Sequence, residues 1–141
     1  MQFRLIAVLT IFAAAIAGCD THTRSPHTSS NPSTAPQPVQ LTDENFAREV
    51  LQSDLPVLVD MWAPWCQPCI AMKPTIQEIT KELAGSVKVA ELNIEEHPFI
   101  KEKYAVDRYP MLLLFDNGQE VERWIGAKSR TELLNLLDIY D

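Results

Sequence analysis

The chain has 141 residues, a hydrophobic fraction of 46% and a formal net charge of −7. Acidic residues outnumber basic ones by 19 to 12, and the Lys and Arg residues form no cluster along the chain. This composition argues against binding to nucleic acid and against electrostatic docking on anionic lipid, because both need a concentrated positive surface.

The N-terminal residues predict an export signal. Arg4 is followed by an apolar run over residues 5–17, which is too short for a comfortable membrane span. The tetrapeptide Ile-Ala-Gly-Cys at residues 16–19 resembles the lipobox of bacterial lipoproteins, in which a lipid is attached to the cysteine sulfur and the chain is cut before it. The resemblance implies a signal peptide over residues 1–18 and lipidation of Cys19. An uncleaved signal anchor and an ordinary signal peptide stay open as alternatives.

Asp20 and the segment after it predict the membrane in which the protein is anchored and the linker that joins the anchor to the domain. Asp20 resembles the signal that retains enteric-type lipoproteins in the inner membrane. We therefore expect a lipid anchor at the periplasmic face of the bacterial inner membrane, with the outer membrane and a Gram-positive cell surface as alternatives. Residues 19–38 comprise the lipidated cysteine and a tether that contains four Pro, four Ser and four Thr. Such a composition buries too little surface to fold, and its length spans on the order of 25 Å as a flexible coil.

Residues 39–141 carry the signals of one small domain with both helices and strands. Thr42 is placed to cap a first helix, whose apolar face holds Phe46, Val50 and Leu51. Apolar runs predict strands over residues 56–61, 87–94, 111–115 and 121–125, the last two joined by a hairpin turn at Asn117 and Gly118. Helical spacing predicts helices over residues 66–84 and 98–104, and a last helix that opens with Ser129 and Glu132 and buries Leu133, Leu136 and Leu137.

Two cysteines three residues apart, Cys66 and Cys69, lie at the predicted junction of strand 56–61 and helix 66–84. Their spacing on a helix brings both sulfurs within bonding reach, and the helix N-terminus stabilises a thiolate on Cys66. Such a pair can attack a disulfide, form a mixed disulfide and resolve it with the second thiol. A purely structural bridge stays open, although so short a loop removes little entropy from the unfolded chain.

Metal and haem chemistry fit this cysteine pair poorly. The third cysteine, Cys19, lies in the signal region, and the three histidines show no ligand spacing. A c-type haem needs a histidine directly after the second cysteine, where this chain has Ile70. We therefore expect no metal and no other cofactor, since the two cysteines themselves cycle.

The cysteine pair and the order βαβ, helix, β-hairpin, helix together resemble the thioredoxin family from about residue 39 to the C-terminus. The residues that carry the resemblance are Asp60, Trp62, Trp65, Cys66, Cys69, Pro74, Tyr109, Pro110, Asn117, Gly118 and Gly126. The resemblance implies an α/β thioredoxin fold, with a central mixed β-sheet flanked by helices, as a single domain after the signal peptide and tether.

The same resemblance and the chemistry of the residues assign roles to the site. Cys66 is the expected nucleophile, and the more deeply placed Cys69 resolves the mixed disulfide. Asp60, if buried beneath the pair, has a raised pKa and accepts the Cys69 proton. Pro110 is the candidate for a cis peptide bond that exposes the Tyr109 backbone to a substrate strand, and Trp65 and Tyr109 form an aromatic rim around the sulfurs.

Four residues depart from the family pattern. Gln67 replaces a glycine between the cysteines, Ile70 replaces a lysine, and Arg108 adds a charge before Tyr109. Glu91 falls where the family often has a lysine near the buried aspartate. If Glu91 lies beside Asp60, it raises the Asp60 pKa further, whereas a Glu91 that points to solvent has no such effect.

We expect a thiol–disulfide oxidoreductase outside the cytoplasm that reduces protein disulfides. The direction rests on Pro68, since oxidising relatives usually carry His at that position. The expected partners are disulfide-containing exported proteins, a membrane thiol transporter that supplies electrons, and the membrane itself through the lipid on Cys19, but no nucleic acid. The protein is expected to be a monomer. A net oxidase or isomerase and a non-catalytic binding module with the same fold are the alternatives.

Overall fold

The computed structural model describes residues 35–140. The predicted signal peptide, Cys19 and most of the predicted tether therefore lie outside the described residues. The elements in chain order are β1 Val39–Leu41, a π-helical segment Ala47–Leu51, β2 Val57–Trp62, α1 Gln67–Glu82, β3 Lys88–Asn93, α2 Pro98–Lys103, β4 Met111–Asp116, β5 Gln119–Ile125, α3 Arg130–Leu137 and a 3₁₀ turn Asp138–Tyr140.

The five strands form one mixed sheet in the order β1-β3-β2-β4-β5. β3 pairs in parallel with both β1 and β2, while β4 is antiparallel to its neighbours β2 and β5. β2 therefore lies at the centre of the sheet, and its residues 57–61 are completely or almost completely buried. The predicted mixed sheet flanked by helices is confirmed.

Each face of the sheet carries its own apolar cluster. Residues on one face of β2 and β4, such as Val59 and Leu113, pack with Phe46 and Ile100 from the π-helical segment and α2. Residues on the other face, such as Leu58, pack with the apolar positions of α1 and α3, which are Met72, Ile76, Ile79, Leu133 and Leu137. Because side chains alternate along β2, successive residues of this strand pack in the clusters on opposite faces of the sheet.

Local signals fixed several boundaries as the sequence predicts. α3 opens with the expected capping box, in which the Ser129 hydroxyl accepts from the Glu132 amide and the Glu132 carboxylate accepts from the Ser129 amide. The β4–β5 turn has Asn117 at φ 48° and Gly118 at φ 76°. A Cβ atom at Gly118 would lie 2.5 Å from the carbonyl oxygen of Leu51, so only glycine fits there.

Three expectations differ from the structure. The first helix is shorter than expected and is assigned only as the π-helical segment, although Thr42 does cap the turn before it: its hydroxyl accepts from the Asn45 backbone amide, and the Asn45 side chain accepts from the Thr42 amide. Strand β1 has no counterpart among the predicted elements. Leu136, predicted to be buried, is only partly covered, whereas its neighbours Leu133 and Leu137 are fully buried.

Candidate active site

The two cysteines lie at the first turn of α1. Cys66 is the N-cap residue, and its Sγ accepts a hydrogen bond from the Cys69 amide at 3.3 Å. A disulfide joins the two residues, with an S–S distance of 2.04 Å. Cys66 keeps 4% of its surface exposed and Cys69 keeps none, so an incoming group can reach only the first sulfur. The amide that points at Cys66 stabilises a thiolate there once the disulfide is reduced.

An aromatic rim stands beside this disulfide. Trp65 is 54% exposed, and its indole N–H donates to the Glu95 carboxylate at 2.7 Å. The Trp65 and Tyr109 rings meet edge to face with their centroids 5.2 Å apart, and the Tyr109 hydroxyl donates to the Val106 carbonyl. The structure therefore brings together Trp65 and Tyr109, as predicted. Glu95, which fixes the indole, was not singled out from the sequence.

The loop before β4 completes this end of the sheet. The peptide bond between Tyr109 and Pro110 is cis, as expected from the sequence. The Gly126 amide donates to the Pro110 carbonyl at 2.8 Å, which joins this loop to the end of β5. Arg108 is largely exposed, and Asp107 is its carboxylate neighbour at 4.0 Å.

Asp60 lies in the middle of β2 and has no solvent exposure. Neither of its carboxylate oxygens has a hydrogen-bond partner among the described residues, and the same holds for the indole nitrogen of Trp62. Burial away from water is the largest cause that raises the pKa of Asp60 from 3.8 to about 7. The negative charge of Glu91 acts in the same direction, and the Lys73 ammonium opposes both. Asp60 can therefore exchange a proton near neutral pH.

Glu91 occupies the position on β3 that is directly in register with Asp60 on β2. It is 7% exposed, and its Oε2 accepts from the side-chain Nε2 of Gln40 at 3.1 Å and from Lys73 Nζ at 3.3 Å. The sequence leaves open whether Glu91 lies beside Asp60 or points to solvent, and the structure places it beside Asp60. A parallel pair of strands is about 4.8 Å apart, so the two carboxyls are close neighbours.

Lys73 is a second residue of this site, after Glu95, that the sequence analysis did not identify. It lies on α1, one turn after Cys69, and its Nζ is 3.6 Å from the centroid of the Trp62 ring. Its spacing of four residues from Cys69 is the signal that could have identified it, since such residues share one side of a helix. The partners Glu91 and Trp62 come from two different strands, and no local pattern indicates them.

Within residues 35–140, no three His, Cys, Asp or Glu side chains come close enough together to hold a metal ion. No helix in the same part of the chain is both long and apolar enough to cross a membrane. The chemistry that the described residues offer is that of a disulfide-forming cysteine pair beside a buried acid.

Comparisons with known proteins agree with this fold and site. The family model described as thioredoxin matches residues 37–139. The thioredoxin of Rickettsia felis is 47% identical over 98 residues, which cover 70% of this chain and 93% of the relative. Thioredoxin 1 of a Nostoc species is 42% identical over 99 residues, with 70% and 92% covered. The thioredoxin of a Synechocystis species is 43% identical over 101 residues, with 72% and 94% covered.

The fold, the cysteine pair and these matches define the class of the protein, which is a thiol–disulfide oxidoreductase. The chain belongs to the thioredoxin family.

Proposed function

We propose that this protein reduces disulfide bonds of exported proteins outside the cytoplasm, while a lipid on Cys19 holds it at the membrane. Pro68 is the observation that supports reduction rather than oxidation of substrates, and it lies between the cysteines in the first turn of α1. Its side chain offers no charge and no hydrogen-bond donor to Cys66. The thiolate is then stabilised only modestly, and a less stabilised thiolate makes the dithiol a better reductant.

The proposed reaction moves two electrons from the dithiol to the substrate. The Cys66 thiolate attacks one sulfur of the substrate disulfide, which forms a mixed disulfide and releases the other substrate sulfur as a thiolate. Cys69 gives its proton to Asp60 and attacks the Cys66 sulfur. The Cys66–Cys69 disulfide forms, the second substrate thiolate leaves, and both substrate thiolates take up protons. Asp60 supports this role because it is buried in β2 with a pKa of about 7.

The rim of the site supports a polypeptide substrate. Trp65 and Tyr109 present aromatic surface beside Cys66, which is the more accessible cysteine of the pair, and Pro110 directly precedes β4. An extended segment of a substrate can lie along the Tyr109 backbone, where main-chain hydrogen bonds give affinity without requiring one sequence. This arrangement suits a protein that reduces several partners.

The extracytoplasmic location rests on the sequence before residue 39. Arg4, the apolar run over residues 5–17 and Cys19 at its end form the pattern of a lipoprotein signal. The acylated cysteine carries several chains, which suffices for stable anchoring where one chain is marginal. A reductase in an oxidising compartment also needs electrons, and a membrane thiol transporter is the donor that we propose.

An insulin reduction assay with dithiothreitol tests the activity. We expect the wild-type domain to accelerate precipitation of the insulin B chain and Cys66→Ala to abolish the acceleration. Cys69→Ala should instead accumulate a mixed disulfide on Cys66, visible by mass spectrometry. A wild-type protein without acceleration would be a binding module. Adducts on Cys69 in the Cys66→Ala variant, and none in the other, would invert the two roles.

The direction of electron flow is tested separately by the reduction potential of the Cys66–Cys69 pair. We expect a value of about −270 mV, which is typical of thioredoxins, measured against glutathione buffers. A value of about −120 mV, as in strongly oxidising relatives, would favour the oxidase or isomerase function.

Fractionation of cells that express the full chain tests the anchor. The wild type should partition with membranes, and Cys19→Ser should release a soluble domain with unchanged insulin reduction, because all the residues assigned to the site lie within residues 60–110. A Cys19→Ser variant that remains in the membrane fraction would show an uncleaved signal anchor.

A further inference from the structure

A buried charged group lies against the face of the sheet that α1 covers. It consists of Asp60, Glu91 and Lys73, contributed by β2, β3 and α1. Asp60 and Glu91 are in register on adjacent strands, so their carboxyls face the same side of the sheet. Two neighbouring carboxylates in an apolar surrounding repel each other, and a cation near them decides how easily both ionise.

Lys73 is held in this place from two sides. Its ammonium contacts the Glu91 carboxylate at 3.3 Å and lies over the Trp62 ring at 3.6 Å from the centroid. The side chain of Lys73 is 29% exposed and that of Glu91 only 8%. An ion pair that is this well covered is screened by water less than a surface pair, so its charge acts on the buried neighbour.

We propose that Lys73 is a positioning residue for disulfide reduction, which holds Glu91 and thereby allows Asp60 to accept the proton of Cys69. The inference rests on the proposed function, because it concerns the same proton transfer from Cys69 to Asp60. Asp60 itself makes no hydrogen bond among the described residues, so Lys73 is not a direct partner but acts through Glu91 and through space.

The groups that face Asp60 are few. β3 contributes Glu91, α1 contributes Lys73 and begins with the two cysteines, and β4 places the apolar Leu112 opposite Asp60. Glu91 raises the pKa of Asp60, and Lys73 lowers it. Lys73 is thus the cation in this group that favours the ionised Asp60, and only that form accepts a proton.

Replacement of Lys73 by Met keeps the length of the side chain and removes its charge. The Asp60 carboxyl should then titrate about one pH unit higher. The resolution of a mixed disulfide between the reduced protein and insulin, measured after acid quench, should slow about tenfold at pH 6. It should change little at pH 9, where Asp60 is ionised in both proteins. Lys73→Arg should keep the wild-type pH profile.

Lys88→Met is the matched control. Lys88 also pairs with a glutamate, Glu49, at 3.7 Å, and its side chain is 26% exposed, but it lies outside the charged group. Its pH profile should equal that of the wild type. Thermal unfolding of all variants reports any general loss of structure.

Two results would overturn the role of Lys73. One is an Asp60 titration in oxidised Lys73→Met that is the same as in the wild type. Carboxyl NMR measures this titration, and the measurement needs no turnover. The other is a rate that falls by the same factor at pH 6 and at pH 9, which indicates a merely structural ion pair. If wild-type protein reduces no insulin at all, the proposed function fails, while the NMR titration still decides what Lys73 does to Asp60.

Discussion

The two faces of the sheet differ in what they bury. One carries an aromatic cluster of Phe46, Tyr104 and Phe115, whose ring centroids lie 5.3 to 5.6 Å apart. The other face, on which α1 and α3 pack, carries the charged group of Asp60, Glu91 and Lys73, in which the two carboxyls are buried and the Lys73 side chain is partly exposed. The aromatic cluster lowers the free energy of the folded state, whereas buried carboxyls raise it unless they are compensated.

This contrast separates stability from chemistry. Asp60 has no hydrogen-bond partner among the described residues, so the fold gains nothing from its charge. A group of this kind fits a functional role, because its burial tunes a proton equilibrium that a surface carboxyl cannot offer. The contrast predicts that substitutions on the two faces have effects of different kinds.

The largest expected effect on stability comes from the aromatic cluster. Phe115→Ala removes a fully buried ring that contacts both Phe46 and Tyr104, and the free energy of unfolding should fall by about 3–5 kcal/mol. Urea denaturation measures this loss. If the variant does not fold, Phe115→Leu gives a smaller loss of the same sign. In either folded variant the pH midpoint of insulin reduction should stay unchanged, and a displaced midpoint would contradict the separation of the two faces.

Asp60→Asn should change stability in the opposite direction. The unfolded chain releases the Asp60 proton near its ordinary pKa of 3.8, whereas the folded protein holds it up to about 7. The free energy of unfolding therefore falls as the pH rises through this interval. Asn cannot ionise, so the variant should be more stable at pH 8 by up to about 4 kcal/mol, and the gain should vanish below pH 4.

The control for this prediction is Asp54→Asn, since Asp54 is exposed. Urea denaturation at pH 4 and pH 8 should show no pH-dependent gain for the control. Resolution of the mixed disulfide should be slowed in Asp60→Asn alone. An equal gain at both pH values would show that packing, not ionisation, accounts for the effect.

The smallest of the three effects is expected from a charge reversal at Glu91. Glu91→Lys replaces the anion beside Asp60 by a cation, so the pKa of Asp60 should fall. The acid limb of the pH profile of insulin reduction should move to lower pH by about one unit or more. Glu49→Lys is the control, because Glu49 pairs with Lys88 away from the charged group. An unchanged acid limb in Glu91→Lys would mean that its charge does not reach Asp60.

Most of the fold could be predicted because its signals are local. The capping box at Ser129, the turn at Asn117 and the central apolar strands each depend on residues close together in sequence. Strand β1 was missed because it has only three residues, one of them the exposed Gln40, and it is fixed by pairing with β3. The Asp43 carboxylate accepts from the amide of Ile100, which is distant in sequence, and no local pattern indicates this contact.

The candidate site was predictable to the extent that its residues follow a motif. The cysteines and Asp60 are in the segment around β2 and α1, and the Tyr109–Pro110 pair was placed by the family resemblance. The proximity of Glu91 stayed open because the register between β2 and β3 cannot be read from either strand alone. Lys73 could not be connected with Glu91 without the packing of α1 on the sheet.

Asp60 is expected to titrate near neutral pH, so that its ionised form can take the proton of Cys69 and release it again. Titration of the Asp60 side-chain carboxyl by carbon-13 NMR, in the oxidised wild-type protein, tests this central claim most directly. We expect a midpoint near pH 7, and this titration should be absent from the spectra of Asp60→Asn. A midpoint near pH 4, the ordinary range of an aspartate, would contradict it.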